Sequence, residues 1–562
     1  GRLAPMRNPP APSALASRMA ADSGTIDRRM ASHTIGTRPP HDAVAPPRLE
    51  QDVDSLIRYV EDAAHYPGGS TALVAKPITE GEVAWLLQQH AAVLPIGAQS
   101  SLTGGATPFG DVVIAMTNMT GLLGVRDDTV RVQAGVPLAA LQQALQERGL
   151  FYPPVPTFAG ATVGGVLSTN AAGASTVRYG TTRDWVKAIT VVLASGEVLD
   201  VERGECRASE DRHFDILTDK GVVRIDVPRL TMPDVPKRSA GYFAAPGMDL
   251  VDLFIGAEGT LGVVTEATLG LARLPPSRWL ALVQVSDDRR ALEFVQRIRF
   301  LAADRHATAG FAVSAIEHID RRSLALLSQD GVVDRLNIGI LDDTTMALLV
   351  ELEDDRTLDR SAAWDELTNA LDRPSDTSPI GQLCRVLRGF SLLETTEVVM
   401  PDDRERREQL LAFREAVPEA VNRRVGRAQR ELDPRIQKMA GDFIAPMSRF
   451  DEMMAAVRSS FERRDLDYAV WGHISDGNVH PNVIPRSVED VVAGKAAILE
   501  AGSAVIRLGG CPMAEHGVGR NPVKQRLLEL LYGRRGVDEM RRVKAALDPG
   551  WKLASGVLFA RE

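Results

Sequence analysis

Two short segments near the C-terminal end concentrate imidazole and carboxylate groups. The segment WGHISDGNVHPN contains His473 and His480, and the segment EHGVG begins with Glu515 and His516. Two imidazoles and one carboxylate suit a catalytic divalent cation that keeps an open coordination position. A single histidine is more often structural, but four such groups in two glycine-punctuated segments favour a metal site. The first segment would supply two ligands and the second a third.

The geometry of this site depends on a turn. Asp476-Gly477 is a strong signal for a two-residue hairpin turn. With that turn, His473 lies directly opposite His480 on one face of the hairpin, with their Cβ atoms about 5 Å apart. A three-residue turn would change this register.

Three glycine-rich segments could wrap a ligand that carries phosphate. They read PIGAQSSLTGG (95–105), TVGGVLSTNAAG (162–173, followed by RYG at 178–180) and IGAEGTLGVV (255–264). Small residues let backbone N–H groups converge on phosphate oxygens, and hydroxyl groups add donors. None of the segments matches G-x-G-x-x-G or the lysine-containing phosphate loop. Each alone is also compatible with an ordinary turn or a packed connection.

Composition excludes several classes of protein. The chain has 562 residues and a net charge of −9, without the basic balance of a nucleic-acid binder. Its 3 cysteines form neither a disulfide framework nor a haem or iron–sulfur motif, which favours a reducing compartment. The long uncharged run between Arg148 and Arg178 is rich in proline and glycine, so no transmembrane segment is predicted.

The elements that position these motifs follow an α+β or α/β pattern. Residues 1–48 lack apolar periodicity and are predicted to be a disordered extension. Translation from Met19 or Met30 would explain them, and an arginine-rich mitochondrial targeting segment is the alternative. Apolar spacing predicts strands at 73–77, 112–116, 130–134, 185–193, 197–201, 263–271, 280–285, 345–351 and 468–474. It predicts helices at 80–92, 137–148, 289–303, 404–417, 450–464 and 522–547.

The five motifs, taken together in their order along the chain, resemble the FAD-linked oxidoreductases with the vanillyl-alcohol oxidase/p-cresol methylhydroxylase (PCMH) flavin domain. The D-lactate, D-2-hydroxyglutarate and glycolate dehydrogenase branch is the most similar. The resemblance implies an α+β fold: a two-subdomain FAD-binding domain at 49–275, an α+β cap with an antiparallel sheet at 276–522, and a C-terminal helical segment at 523–562 that returns to the flavin domain.

The resemblance also implies roles for individual residues. His473, His480 and Glu515 would hold a divalent metal, with Zn favoured and Mn or Fe also fitting. His516 would be the active-site base, Asn482 a substrate contact, Arg414 the partner of the substrate carboxylate and Lys438 a second anion contact; a solvated helix face is the alternative for Arg414 and Lys438. The residues expected at FAD are Pro95, Gly97, Ala98, Gln99, Ser100, Ser101, Gly104, Gly105, Thr162, Gly164, Gly165, Thr169, Asn170, Gly173, Tyr179, Gly180, Glu258, Gly262 and Val264.

The chain departs from the family pattern in three places. Ser475 replaces a glycine of GHxGDGNxH. The first phosphate loop lacks the histidine that attaches FAD in some relatives, so non-covalent FAD is expected. The tail, LDPGWKLASGVLF, lacks the usual Asn-Pro-Gly-Lys ending, which weakens the expectation that it contacts the flavin.

The resulting hypothesis is metal-assisted oxidation of a D-2-hydroxy acid to the 2-oxo acid. Electrons would leave through a quinone, a cytochrome or an electron-transfer flavoprotein. A flavin oxidase that uses oxygen is the main alternative; a metal-binding scaffold and an ether-lipid synthase rank lower. A cytoplasmic location is expected, with peripheral contact to the inner membrane or a mitochondrial location as variants, and a homodimer is compatible with the sequence.

Overall fold

Two large hydrophobic cores divide the protein. The computed structural model describes residues 32–303, 311–373 and 375–560. One core joins residues of the N-terminal half to the C-terminal helix, and the other lies within residues 279–505. The antiparallel cap sheet and the α+β class predicted from the sequence are confirmed.

The strands are short in the first half and longer in the second. In chain order they are β1 (Thr34–Gly36), β2 (Arg48–Glu50), β3 (Val74–Lys76), β4 (Val93–Ile96), β5 (Val112–Ala115), β6 (Leu122–Arg126), β7 (Thr129–Gln133), β8 (Leu150–Phe151), β9 (Val186–Val192), β10 (Val198–Glu202), β11 (His213–Thr218), β12 (Gly221–Asp226), β13 (Val263–Gly270), β14 (Ala272–Arg273), β15 (Ser277–Val285), β16 (Ala312–Asp320), β17 (Met346–Asp354), β18 (Thr396–Val399), β19 (Met439–Ala440), β20 (Phe443–Ile444), β21 (Tyr468–His473) and β22 (Asn478–Val483).

The helices range from single turns to long rods. In chain order they are α1 (Val53–Leu56), α2 (Glu80–Gln89), α3 (Leu138–Gln146), α4 (Val163–Thr169), α5 (Thr176–Tyr179), α6 (Thr182–Trp185), α7 (Val251–Phe254), α8 (Asp288–Ala303), α9 (Arg321–Gln329), α10 (Val332–Arg335), α11 (Arg360–Asp372), α12 (Pro379–Gly389), α13 (Arg404–Glu431), α14 (Phe450–Glu462), α15 (Val488–Arg507) and α16 (Pro522–Leu547).

The N-terminal half is built on two main sheets. A four-stranded sheet has the order β2-β3-β5-β4, in which β3, β5 and β4 run parallel. A five-stranded antiparallel sheet has the order β10-β9-β13-β7-β6. Between them lies a small core that includes Val83, Leu86 and Val192. This pairing of sheets forms the two subdomains expected from the sequence.

The second half is organised by one antiparallel sheet. Its order is β18-β15-β17-β16-β21-β22-β19, and β20 also pairs with β22. Helix α13 runs through residue 431, well beyond the predicted end near residue 417. Pro418 would normally end a helix, but Val417, Val421 and Val425 continue one buried face across it. Packing of that face outweighs the hydrogen bond that proline cannot make.

The predicted disordered extension, residues 1–48, was wrong for its last part. Residues 1–31 lie outside the described part of the chain, but residues 32–48 are ordered against the N-terminal half. Strand β1 pairs in parallel with β11, and Arg38 bridges Glu80 and Asp200. A three-residue strand is too short to show apolar periodicity, which is why composition alone missed it.

The chain returns to the first core before the predicted boundary at residue 522. Cys511, Met513, Ala514 and Val518 are buried in the core of the N-terminal half. Helix α16 follows, as predicted, and the tail beyond it adds a bridge from Leu553 to Val93 of β4. The segment that carries Glu515 and His516 therefore lies against the N-terminal half.

Candidate active site

Three glycine-rich loops converge on a cavity of about 490 Å³ in the N-terminal half. The first loop follows β4, the second begins at the N-terminus of α4, and the third connects α7 to β13. The structure brings together fourteen of the predicted cofactor residues at this wall: Pro95, Gly97, Ala98, Gln99, Ser100, Ser101, Gly105, Thr162, Gly164, Gly165, Thr169, Glu258, Gly262 and Val264.

Close packing between the loops explains one of their glycines. A Cβ on Gly97 would lie 2.2 Å from Thr162 Oγ1. That hydroxyl caps α4 by accepting a hydrogen bond from Gly165 N–H at 3.3 Å. Gly97 therefore lets the first loop approach the capped start of α4 closely.

Two predicted cofactor residues support the loops from behind instead of lining the cavity. A Cβ on Gly104 would lie 2.6 Å from the Tyr66 ring, so this glycine permits close packing. Asn170 ends α4 in the left-handed conformation, and its side-chain oxygen accepts a hydrogen bond from Arg183 N–H at 3.0 Å. Both residues therefore support the loops that line the cavity.

The other three displaced residues lie in the connection after α4. A Cβ on Gly173 would lie 2.2 Å from Val155 O, and Gly180 has a positive φ at the turn into α6. The Tyr179 hydroxyl donates a hydrogen bond to Glu353 of the cap at 2.6 Å. The RYG sequence thus joins the two halves of the protein and does not reach the cavity wall.

A second cavity, of about 560 Å³, lies beside the first on the cap side. Arg414, Lys438, Asn482 and His480 line it, so the predicted catalytic residues are brought together. Glu515 and His516 line both cavities. A molecule in the second cavity would therefore meet the first cavity at these side chains.

Three imidazoles converge on one oxygen of Glu515. Its Oε1 lies 3.3 Å from His473 Nε2, 3.3 Å from His480 Nε2 and 3.6 Å from His516 Nε2. Two ligands of a tetrahedral ion with bonds of about 2.1 Å lie about 3.4 Å apart. The donor set and its spacing therefore fit a divalent cation such as Zn, Mn or Fe.

The predicted hairpin register was wrong. The turn spans four residues, 474–477, so His473 is opposite Asn478 and His480 is opposite Trp471. Ile474 is fully buried and Ser475 N–H donates to Ile316 O at 3.2 Å, which commits both residues to the cap core instead of to the hairpin ladder. His473 and His480 are diagonal neighbours on one face, and their ring centroids are still 5.5 Å apart.

Asp442 is a member of this cluster that the sequence analysis missed. It is fully buried in the connection between β19 and β20 and accepts backbone hydrogen bonds from Glu515 and His516, both at 2.9 Å. Its carboxylate lies 3.5 Å from His480 Nδ1 and 3.7 Å from His516 Nδ1. A negative charge on the Nδ1 side of both rings leaves their Nε2 atoms for a metal or a proton.

Lys237 places a buried positive charge behind the cluster. Its side chain is fully buried, with Nζ 3.0 Å from Glu515 and 3.0 Å from Asp476. Burial opposes the charged form of Glu515, but Lys237 and His473 hold the pKa of Glu515 well below its usual value. Glu515 is therefore ionised, as a carboxylate ligand of a cation would have to be.

Glu317 connects the predicted substrate arginine to the metal cluster. Its carboxylate forms hydrogen bonds with Arg414 Nε and His473 Nδ1. Burial opposes ionisation of Glu317, but Arg414 and His473 lower its pKa to about 2. Within the described residues no acceptor engages the terminal amino groups of Arg414. Those two groups remain for a carboxylate in the cavity, in the paired geometry that guanidinium favours.

His516 is suited to accept a proton. Burial lowers the pKa of His516 to about 4, although Asp442 opposes this shift. The imidazole is therefore a free base at neutral pH. Because Nδ1 faces Asp442, Nε2 is the atom that can receive a proton from the second cavity.

Glu258 anchors the EHGVG segment to the first cavity. Its carboxylate accepts hydrogen bonds from Val518 N–H at 2.7 Å and Gly519 N–H at 2.8 Å. Burial raises the pKa of Glu258 to about 7. The third glycine loop thus holds the EHGVG segment against the first cavity.

Comparison with known proteins assigns the family. One family model, described as an FAD binding domain, matches residues 71–202, and another, described as the C-terminal domain of FAD linked oxidases, matches residues 279–558. The chain belongs to the FAD-linked oxidoreductases with a PCMH-type flavin domain. In this oxidoreductase the first cavity lies within the flavin domain, and its residues fit the cofactor.

Curated relatives are similar to this FAD-linked oxidoreductase over most of their length. The glycolate oxidase subunit GlcD of Bacillus subtilis is 26% identical over 524 residues, 91% of this chain and 94% of the relative. A D-2-hydroxyglutarate dehydrogenase of Xanthomonas citri is 29% identical over 532 residues, 92% and 95% of the two chains. D-lactate dehydrogenase [cytochrome] 1, mitochondrial, of Saccharomyces cerevisiae is 24% identical over 529 residues, 92% and 76%.

Solved structures of alkyldihydroxyacetonephosphate synthase share the fold of the oxidoreductase. One has a TM-score of 0.59 and 15% sequence identity and covers 98% of this chain and 92% of its own.

Among the described residues, no helix has the length and apolar character needed to cross a membrane.

Proposed function

We propose that this oxidoreductase is a dehydrogenase that oxidises a D-2-hydroxy acid, of the D-lactate or D-2-hydroxyglutarate class, to the 2-oxo acid. The observation that carries the proposal is the position of Glu515 and His516, which line both the flavin cavity and the cavity that holds Arg414 and Lys438. A 2-hydroxy acid needs both a carboxylate anchor and a base beside its hydroxyl, and this cavity offers both.

The chain would hold non-covalent FAD on its three glycine loops and a divalent cation on His473, His480 and Glu515. When bound, FAD supplies the acceptor for the hydride lost from C2, and the cation supplies a Lewis acid that makes the hydroxyl more acidic. The protein itself positions the substrate and moves its proton.

Substrate orientation would come from the second cavity. The terminal amino groups of Arg414 bind the carboxylate in a paired geometry while Glu317 holds the guanidinium in place. Lys438 adds a second positive charge, and Asn482 contacts the substrate from β22. His516 accepts the hydroxyl proton at Nε2, since its ring is uncharged at neutral pH.

Anaerobic reduction of the bound flavin tests this proposal. A panel of D- and L-2-hydroxy acids should bleach the flavin absorption for D-isomers. His516→Ala should keep the flavin but slow its reduction by a factor of about 100 or more. His41→Ala, which replaces an exposed histidine that lines neither cavity, is the control and should reduce normally. Normal bleaching in the His516 variant would remove His516 from the mechanism.

The electron acceptor distinguishes a dehydrogenase from an oxidase. The relative named a glycolate oxidase subunit favours testing oxygen directly, whereas the yeast relative is named for a cytochrome. Peroxide formed at the rate of substrate oxidation in air would identify an oxidase. Slow reoxidation by oxygen with fast reduction of a quinone, cytochrome or electron-transfer flavoprotein would identify the dehydrogenase.

A further inference from the structure

A second group of histidine and carboxylate side chains lies on the small sheet formed by β1, β11 and β12, apart from both cavities. His33 precedes β1, and His213 and Asp215 lie on β11. His213 and Asp215 are two residues apart on one strand, so their side chains share a face. The backbone joins the third member, because Asp215 N–H donates to His33 O at 2.9 Å.

The spacing of these groups is that of ligands around one ion. Asp215 Oδ2 lies 3.7 Å from His33 Nε2 and 3.6 Å from His213 Nε2. Both distances are longer than an ordinary hydrogen bond. They are close to the separation of about 3.4 Å between two ligands of a tetrahedral zinc-class ion. The two imidazole rings stand edge to face, with centroids 5.1 Å apart.

The ring of His213 is already oriented for this task. Ser209 Oγ lies 2.7 Å from His213 Nδ1, which fixes the ring and directs Nε2 towards Asp215. A hydrogen bond to the outer nitrogen is the usual support of a metal-binding histidine. Across the strands, Arg224 is paired in register with Asp215, and its Nε donates to Asp226 at 3.2 Å.

We propose that His33, His213 and Asp215 form a second divalent-metal site, of zinc class, that clips the N-terminal strand to the flavin domain. The side chain of His33 is 45% exposed and that of His213 only 9%, so the site opens to solvent on the strand side, where water completes the coordination. It lies outside the reaction proposed above, and its occupancy does not depend on that reaction.

Metal content of the untagged holoprotein tests this site. After equilibration with zinc and dialysis, His33→Gln and Asp215→Asn should each hold one equivalent less than the unmodified protein, with unchanged flavin absorption. His65→Gln is the matched control, because His65 pairs with Glu61 at 3.2 Å but has no second imidazole. Equal zinc in all proteins, or an equal loss in the His65 variant, would overturn the proposal.

Protease sensitivity gives a second, independent readout. Zinc should slow cleavage by subtilisin within β1 (Thr34–Gly36) at least several-fold in the unmodified protein. It should have no effect in His33→Gln. Protection by zinc that persists in His33→Gln would show that the clip lies elsewhere and would count against the site.

Discussion

At the scale of single residues, charge compensation decides how the cluster works. Glu515 faces three imidazoles with one oxygen and the buried Lys237 with the other. The ligand types were predictable, because histidine and glutamate stand close together in motifs. Lys237, Glu317 and Asp442 were not, because each comes from a distant strand or loop whose local sequence shows no metal-binding pattern. Only folding brings these three to the cluster.

Lys438 should give substrate binding a dependence on pH. Burial lowers the pKa of Lys438 to about 8, below the usual value for lysine. Its ammonium is therefore present below pH 8 and is lost as the pH rises through that value, so attraction for a carboxylate weakens on the alkaline side. We expect kcat/KM for the preferred acid to fall above about pH 8, measured between pH 6.5 and 9.5.

Two variants check the origin of this pH dependence. Lys438→Met should remove the inflection and lower kcat/KM at pH 7 by roughly tenfold, the loss of one charge-assisted contact. Lys495→Met, which removes another ammonium from the same cavity, should keep the inflection. An unchanged profile in Lys438→Met would assign the titration to a different group.

At the scale of elements, the strands and helices hold a few loops in close contact around the candidate site. Apolar periodicity predicted nine of the 22 strands and six of the 16 helices that the structure describes, because each of these buries one regular face. The hairpin turn and the end of α13 were not predictable in this way, because buried Ile474 and the apolar face around Pro418 override local turn and helix signals. Contacts between distant segments, and not local preference, set those boundaries.

Gly519 is the contact where the EHGVG segment meets the first glycine loop. A Cβ at this position would lie 2.2 Å from Thr103 Oγ1, and the residue has a φ of +58°. Gly519→Ala should therefore destabilise the protein by about 1–3 kcal/mol and weaken flavin binding, because the loop must move. Gly389→Ala, with open space around its Cβ, is the matched control. Thermal unfolding measures the loss of stability, and flavin release on dilution measures the weaker flavin binding. Equal behaviour of the two variants would show that the loops tolerate the added methyl group.

At the scale of the whole molecule, the residues predicted for cofactor binding and those predicted for substrate chemistry lie mainly in different halves. The cavity expected for FAD is lined mainly by the glycine loops of the flavin domain, whereas most of the predicted metal and substrate residues come from the cap. The sequence predicted this division through the order of its motifs. It did not show that the two cavities share a wall at Glu515 and His516, because that depends on how the halves pack.

Chelation should separate the two functions. Removing the divalent cation with a chelator should leave the flavin spectrum intact, since FAD is held by loops outside the cluster. It should abolish flavin reduction by the preferred 2-hydroxy acid, and added zinc or manganese should restore it. Stopped-flow spectra under anaerobic conditions measure both. Loss of flavin together with activity would contradict the division, and full activity without metal would remove the cation from the mechanism.

The C-terminal tail affects when the flavin domain can complete its fold during synthesis. Strand β4 leads into the first glycine loop, yet its edge is completed by Leu553, and Leu558 N–H donates to Gly519 O at 2.9 Å. These partners are synthesised about 460 residues after β4. At about 5–20 residues per second, a ribosome needs roughly 20–90 s to reach them. The flavin domain therefore completes this part of its core only after almost the whole chain has been synthesised.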